Sequence, residues 1–226
     1  SNLVINKPIY SNVGLFGSNG GGSIIQNVGL LNANITGADS VGALIGRNKG
    51  TVRNSYSTGF VTGTSSVGGL VGMNMDEGTA QAAIIGSHSD ATVTGTSKVG
   101  GLVGANYAYT AGKGIVNSYA TGAVTASSGQ VGGLVGLNFD LDWGLVGAVT
   151  NSYYNLDLVV TKIGTGGSAV VVPVTPYGLY GGQYAAWFNS GALTPLSIAN
   201  YSTNLVSSGG NNYTINSVLG LKDLLG

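Results

Sequence analysis

The sequence contains no cysteine and a single histidine in 226 residues. The first absence excludes disulfides, thiol catalysis and thiolate metal sites together. Charge is almost as scarce. Asp, Glu, Lys and Arg make up 7% of the chain, and 8 basic side chains balance 8 acidic ones. That leaves no basic footprint for nucleic acid and no polybasic patch for a lipid surface. No uninterrupted apolar run approaches the ~20 residues of a membrane helix, so membrane insertion is not expected either.

Glycine, at 41 residues, and aliphatic side chains are what the chain has in quantity; 43% of it is hydrophobic. That is enough to bury, so disorder is not expected. The surface must then be covered by neutral Asn, Ser, Thr, Gly and Tyr, which points to a secreted or cell-surface bacterial protein. No signal peptide is visible at Ser1, so the sequence reads as an excised fragment.

Internal repeats dominate the chain. One phrase occurs five times, as Val13–Asn19, Val41–Asn48, Val67–Asn74, Val99–Asn106 and Val131–Asn138. Its clearest form is Val67-Gly-Gly-Leu-Val-Gly-Met-Asn74, and the starts lie 28, 26, 32 and 32 residues apart. A second phrase alternates with it. Val52–Gly63 and Ile115–Ala126 share Asn-Ser-Tyr-x-Thr-Gly-x-Val-Thr, and Ile84–Gly95 is a weaker copy. Ile24–Gly37 is a copy with one extra residue, and Val149–Tyr153 begins a last one.

Short period-two runs punctuated by Gly, Asn and Ser predict two or three strands per unit and no helix in the repeats. One unit cannot bury its own apolar face; stacked units can. The fold expected is all-β, a parallel β-helix of about five coils, right-handed by the usual crossover rule. Equivalent residues then lie about 4.8 Å apart along the axis. Asn19, Asn48, Asn74, Asn106 and Asn138 form a ladder at a turn, where Asn tolerates left-handed backbone angles. The adjacent Leu70 and Val71 pose a difficulty, because neighbours in a regular strand face opposite ways. Three extra segments, Met75–Gln81, Tyr107–Lys113 and Phe139–Gly147, follow the ladder Asn and should leave the rod along one edge. They are the most varied chemically, so specific contacts are expected there.

The Gly-Leu-Val-Gly core, with the Asn-Ser-Tyr-x-Thr-Gly-x-Val-Thr lead-in at Asn54 and Asn117, resembles the GLUG-motif repeats of large bacterial exoproteins. Such repeats occur in filamentous-haemagglutinin-like adhesins. The resemblance covers residues 13–154. It implies secretion and surface adhesion, and brings no catalytic residues with it.

Residues 1–157 are therefore expected to be the repeat array. Residues 158–226 would be a capping or connector segment leading to a further array. Within it, Val159–Thr175 reads as strand, and Gly181–Asn189 and Val218–Leu225 as short helices. The first of these helices brings Tyr184, Trp187 and Phe188 to related faces.

Candidate sites are few. His88 takes the repeat position of Tyr56, Tyr119 and Tyr153, which makes it a ladder residue rather than a base. Asp140, Asp142 and Asp157 are the strongest candidates for a hard cation such as calcium, since carboxylates at i and i+2 of a loop can share one ion. Asp76 and Glu77 are weaker, and no other cofactor is indicated. Thr36, Thr62, Thr94 and Thr125 form an outward ladder. The neighbouring column of Asn34, Phe60, Thr92 and Ala123 is too irregular for the flat face that ice binding wants. Tyr107, Tyr109, Tyr177, Tyr180 and Tyr184 are suited to contacts with sugars or proteins.

The function expected is a stiff stalk whose loops touch glycans, a host or neighbouring cells. Two alternatives are a filament or matrix protein that associates end to end, and a β-helix polysaccharide lyase or hydrolase. The enzyme would need paired carboxylates, and the eight acids are scattered through different repeat positions.

Overall fold

The computed structural model describes residues 2–76, 81–108, 113–138, 147–155, 163–165, 171–174, 205–209 and 212–215. The chain divides into two compact units, Ser1–Pro173 and Val174–Gly226. The first is a parallel β-solenoid in which each turn of chain contributes to four faces. The first face runs Val4–Asn6, Gly29–Thr36, Tyr56–Thr62, His88–Ser89 with Thr92–Gly95, Tyr119–Ala120 with Val124–Ala126, and Ser152–Asn155. The second holds Asp39–Gly42, Ser65–Gly68, Ser97–Gly100 and Val131–Gly132. The third holds Phe16–Ser18, Ile45–Asn48, Val71–Met75, Val103–Tyr107, Val135–Leu137 and Ile163–Thr165. The fourth holds Ile24–Gln26, Thr51–Arg53, Ala83–Ile85, Gly114–Val116 and Val149–Thr150.

Four successive rungs carry strands on all four faces, beginning at Gly29, Tyr56, His88 and Tyr119. Residues 4–26 make a further rung, whose contribution to the second face is a bridge from Val13 to Val41. The register follows the repeat. Val67 pairs with Val41 and Val99, and Val71 with Ile45 and Val103. The extra residue of the Ile24–Gly37 copy becomes a β-bulge. Leu30 pairs with Ser57 and Ala33 with Gly59, so Leu31 and Asn32 together oppose Thr58. Asn32 takes a φ of 52° there and donates its backbone N–H to Thr58 Oγ1 at 2.9 Å.

Columns of Val41, Val67 and Val99, of Leu44, Leu70, Leu102 and Leu134, and of Ile45, Val71, Val103 and Val135 are wholly buried in one cluster. Leu70 and Val71 are both inside because a bend, not a strand, occupies Gly69–Leu70. The Leu102 carbonyl accepts both the Leu70 and Val71 amides, at 3.0 and 3.1 Å, and Leu134 does the same for Leu102 and Val103. The alternation rule fails at that corner.

The glycines of the first phrase have a packing reason. A Cβ on Gly68 would collide with the Val71 carbonyl and the Gly104 amide, and one on Gly104 with the backbone of Ser66 and Val67. The second and third faces thus meet backbone to backbone, each glycine seated on the opposite face of an adjoining rung.

In the second unit, Leu205–Gly209 pairs antiparallel with Asn212–Ile215, with a bulge between Ser207 and Gly209. In the range read as strand from Val159 to Thr175, Ile163–Thr165 and Val171–Val174 are strands. The two helices expected at Gly181–Asn189 and Val218–Leu225 lie outside the described residues, and every described element is a strand.

Candidate functional site

The connection from the third face to the fourth is short in the first two rungs, Ser18 to Ile24 and Asn48 to Thr51. In the next three it lengthens, running from Met75 to Ala83, Tyr107 to Gly114 and Leu137 to Val149. The three longer connections therefore fall between the same two faces, as the position of the extra segments after the ladder Asn predicts.

The ladder itself is continuous. Asn19 Nδ2 donates to Asn48 Oδ1 at 2.8 Å, Asn48 to Asn74 at 2.7 Å, Asn74 to Asn106 at 2.8 Å and Asn106 to Asn138 at 2.8 Å. Every amide points the same way, from the first rung toward the last. Asn48, Asn74, Asn106 and Asn138 have no exposed surface, so each lost bond would leave a buried polar group unpaired. The second amide hydrogens turn to the fourth face: Asn48 Nδ2 also meets the Gly50 carbonyl at 3.0 Å, and Asn106 Nδ2 the Ala148 carbonyl at 3.3 Å. Asn138 Nδ2 reaches the Gly147 carbonyl at 2.8 Å. The ladder is thus a row of staples across the bases of the insertions.

One expectation about the ladder is corrected. Its asparagines are not in left-handed backbone; Asn48 and Asn74 lie within strands. Left-handed asparagines stand instead at the corner before the first face, at Asn27, Asn54, Asn117 and Asn151, with φ between 45° and 57°, and Gly86 takes the equivalent place at 56°. They turn the chain from the fourth face to the first. A serine column at this corner went unread in the sequence. Backbone amides of Val28, Ser55, Ser87 and Ser118 donate to Oγ of Ser55, Ser87, Ser118 and Ser152 at 3.2–3.3 Å. Each hydroxyl donates in turn to the carbonyl two residues before it. The recurring Ser after Asn or Gly was the available signal.

The described ends of the insertions are tied down. Asp76 accepts the Ala82 amide at 2.7 Å, and Ala108 accepts the Ala148 amide at 2.7 Å. Lys98 Nζ reaches the Tyr107 hydroxyl at 3.5 Å, and Arg47 directs Nε and Nη2 at Met75 sulfur at 3.0 and 2.8 Å. Asp140, Asp142 and Asp157 lie outside the described residues, as do Glu77, Tyr109, Tyr177, Tyr180 and Tyr184. Among the described residues, no three of His, Asp and Glu gather as a metal set would require.

His88 is buried between Tyr56 and Tyr119, with ring centroids 5.1 and 4.6 Å away and planes 4° from parallel. Burial lowers its pKa from the usual imidazole value, against an opposing pull from Asp90. Asp90 in turn accepts a hydrogen bond from the Thr121 hydroxyl. Burial also raises the phenols of Tyr153 and Tyr154. The stack occupies the ring faces with each other, so no open aromatic platform remains at His88. On the outside of the first face, Thr36, Thr62, Thr94 and Thr125 are in register, and Thr62, Thr94 and Thr125 are exposed. Phe60 is exposed beside them and pairs with Asn34 and Thr92.

No protein-family model matches the chain. Over 61 residues, 27% of its length, it is 43% identical to halomucin from Haloquadratum walsbyi. That stretch is 1% of the halomucin chain. A crystal structure of a candidate immunoglobulin A1 protease from Bacteroides ovatus superimposes with a TM-score of 0.55 at 21% identity. The match covers 95% of this chain and 75% of that one. At that identity the likeness is one of fold: the chain is a β-solenoid built as a structural repeat.

Proposed function

We propose that this chain is a stalk module of a secreted or cell-surface repeat protein, and that its inserted loops make the adhesive contacts. The observation that carries the reading is the division of the repeat into two kinds of sequence. Ladder and glycine positions recur because the stack requires them. The insertions vary, and all three leave from one edge whose bases the asparagine ladder fixes. Rigid scaffolding beneath variable loops is how binding surfaces are commonly held. The shared stretch with halomucin, 1% of that chain, supports placing the repeat in long chains, and the resemblance of the Gly-Leu-Val-Gly phrases to GLUG repeats supports placing those chains outside the cell. Glycans and proteins of a host or neighbouring cell are the partners proposed.

The test is a glycan-array and cell-binding assay on the purified chain, beside a copy with residues 139–146 shortened. Selective binding that the shortened copy loses is the expected outcome. A folded chain that binds nothing in either assay would remove the adhesive half of the proposal and leave a spacer.

A further inference from the structure

The two sides of the first rung differ. Inward along the axis, its strands pair with the next rung on three faces, Val4–Asn6 with Asn34–Thr36, Phe16 with Ile45 and Ile24–Gln26 with Thr51–Arg53. Among the described residues no strand pairs with their other edges. The side chains along these edges belong to a core. Phe16 is 41% exposed, whereas Ile45, its partner in register, is 0% exposed. Ile5 and Ile25 are half-buried, although their partners Ile35 and Val52 are wholly buried. Val4, Ile9, Tyr10, Leu15 and Ile24 add to the open apolar surface of the same rung.

A terminal coil built as a cap would carry a polar outer side. An edge meant to stay single is usually blunted by charge, proline or a bulge. Val4-Ile-Asn6, Phe16-Gly-Ser18 and Ile24-Ile-Gln26 contain neither a charge nor a proline. The ladder adds a direction. Asn19, Asn48, Asn74 and Asn106 donate from Nδ2 to the next rung, and Asn48, Asn74, Asn106 and Asn138 accept at Oδ1 from the rung before. Asn19 Oδ1 accepts the Lys49 amide at 2.7 Å and, among the described residues, no amide from an earlier asparagine. Two first rungs face to face would set acceptor against acceptor.

We propose that the outer edge of the first rung is a docking surface for one more coil of the same repeat. That coil lies parallel to Val4–Asn6, Phe16–Ser18 and Ile24–Gln26 and presents the side that would face its own next rung. The partner is thus defined chemically: an extended coil, apolar at the core columns, with an asparagine amide placed to donate to Asn19. The inference deepens the stalk reading by naming the surface on which the stalk grows and the polarity of growth.

The test joins a copy of residues 33–58 ahead of Leu3, in phase because Val4 pairs with Asn34 and Ala33 with Gly59. Amide hydrogen exchange is followed in this chain, in the parent, and in a chain carrying the same added residues in scrambled order. Exchange at residues 4–6, 16–18 and 24–26 should slow at least tenfold with the in-phase coil and stay at parent rates with the scrambled one. Unchanged exchange in the in-phase chain overturns the proposal, provided Ile45, Val71 and Val103 keep parental protection and so report a folded body. Equal slowing by the scrambled coil also overturns it, because the surface would then be merely sticky. Sedimentation of the parent checks direction: a head-to-head dimer that protects these strands overturns the polarity. None of these outcomes depends on glycan or cell binding, so failure here is distinct from failure of the adhesive reading.

Discussion

The seam between the second and third faces and the wall made by the first face obey different rules. At the seam, Gly68, Gly72, Gly100 and Gly104 lie against opposing backbone, and a single Cβ has nowhere to go. The first face accepts a bulge at Leu31–Asn32, and Asn34, Phe60 and Thr92 in one column. The difference is available space. A side chain directed at solvent can change size, whereas a backbone pressed against backbone cannot recede without moving a whole rung. Strict repetition in this chain marks tight packing, and variation marks room.

The contrast can be broken most severely at the seam. Gly104→Ala should cost about 3 kcal/mol or more through overpacking, read as a lower urea midpoint by circular dichroism. Gly20→Ala, where nothing stands within 4 Å of an added Cβ, should stay within about 0.5 kcal/mol. Equal midpoints for the two would mean the seam is looser than its geometry. Asn74→Ala should come next, at about 2–4 kcal/mol. It removes the acceptor of Asn48 Nδ2 and the donor to Asn106 Oδ1, and each orphaned buried group costs about 1–3 kcal/mol. A midpoint shift no larger than that of an exposed Thr94→Ala change would show that the ladder is not what ties the rungs together.

The smallest effect concerns His88. Its folded pKa is lowered, so the unfolded chain takes up the proton first as pH falls. Stability should be level above the unfolded imidazole value of about 6.5 and decline as pH falls from there through the folded pKa, by at most about 1.4 kcal/mol per pH unit. His88→Tyr, which continues the tyrosine column, should flatten that part of a urea-midpoint profile between pH 8 and 5. A slope that survives the substitution would assign it to carboxylates.

Much of this contrast could be read from the residues. The spacing of Val41, Val67, Val99 and Val131 gave the register, and the extra residue after Ile24 became a bulge. The outward threonines and the ladder role of His88 followed from column position. What could not be read was three-dimensional. Nothing local distinguishes a strand from a bend at Gly69–Leu70, so the shared burial of Leu70 and Val71 was hidden. Asparagine fits both a buried amide ladder and a left-handed corner, and the sequence offered both kinds without labels. The serine column depends on amides of a neighbouring rung, which only the coil geometry brings within reach. For the candidate site, the edge and its anchoring asparagines were legible. The aspartates proposed as cation ligands fall outside the described residues.

The direction of the hydrogen bonds has a mechanical meaning. Rung-to-rung bonds run along the axis of the solenoid, in the parallel strands, the asparagine amides and the serine hydroxyls alike. Tension applied along that axis pulls on rung interfaces in series, while the bonds within one interface share the load. Yielding would then proceed coil by coil, each coil of about 30 residues releasing roughly 100 Å of slack at ~3.4 Å per residue. A tether of this construction gives way in steps and absorbs work at each one, so a contact at its far end can outlast a sudden pull.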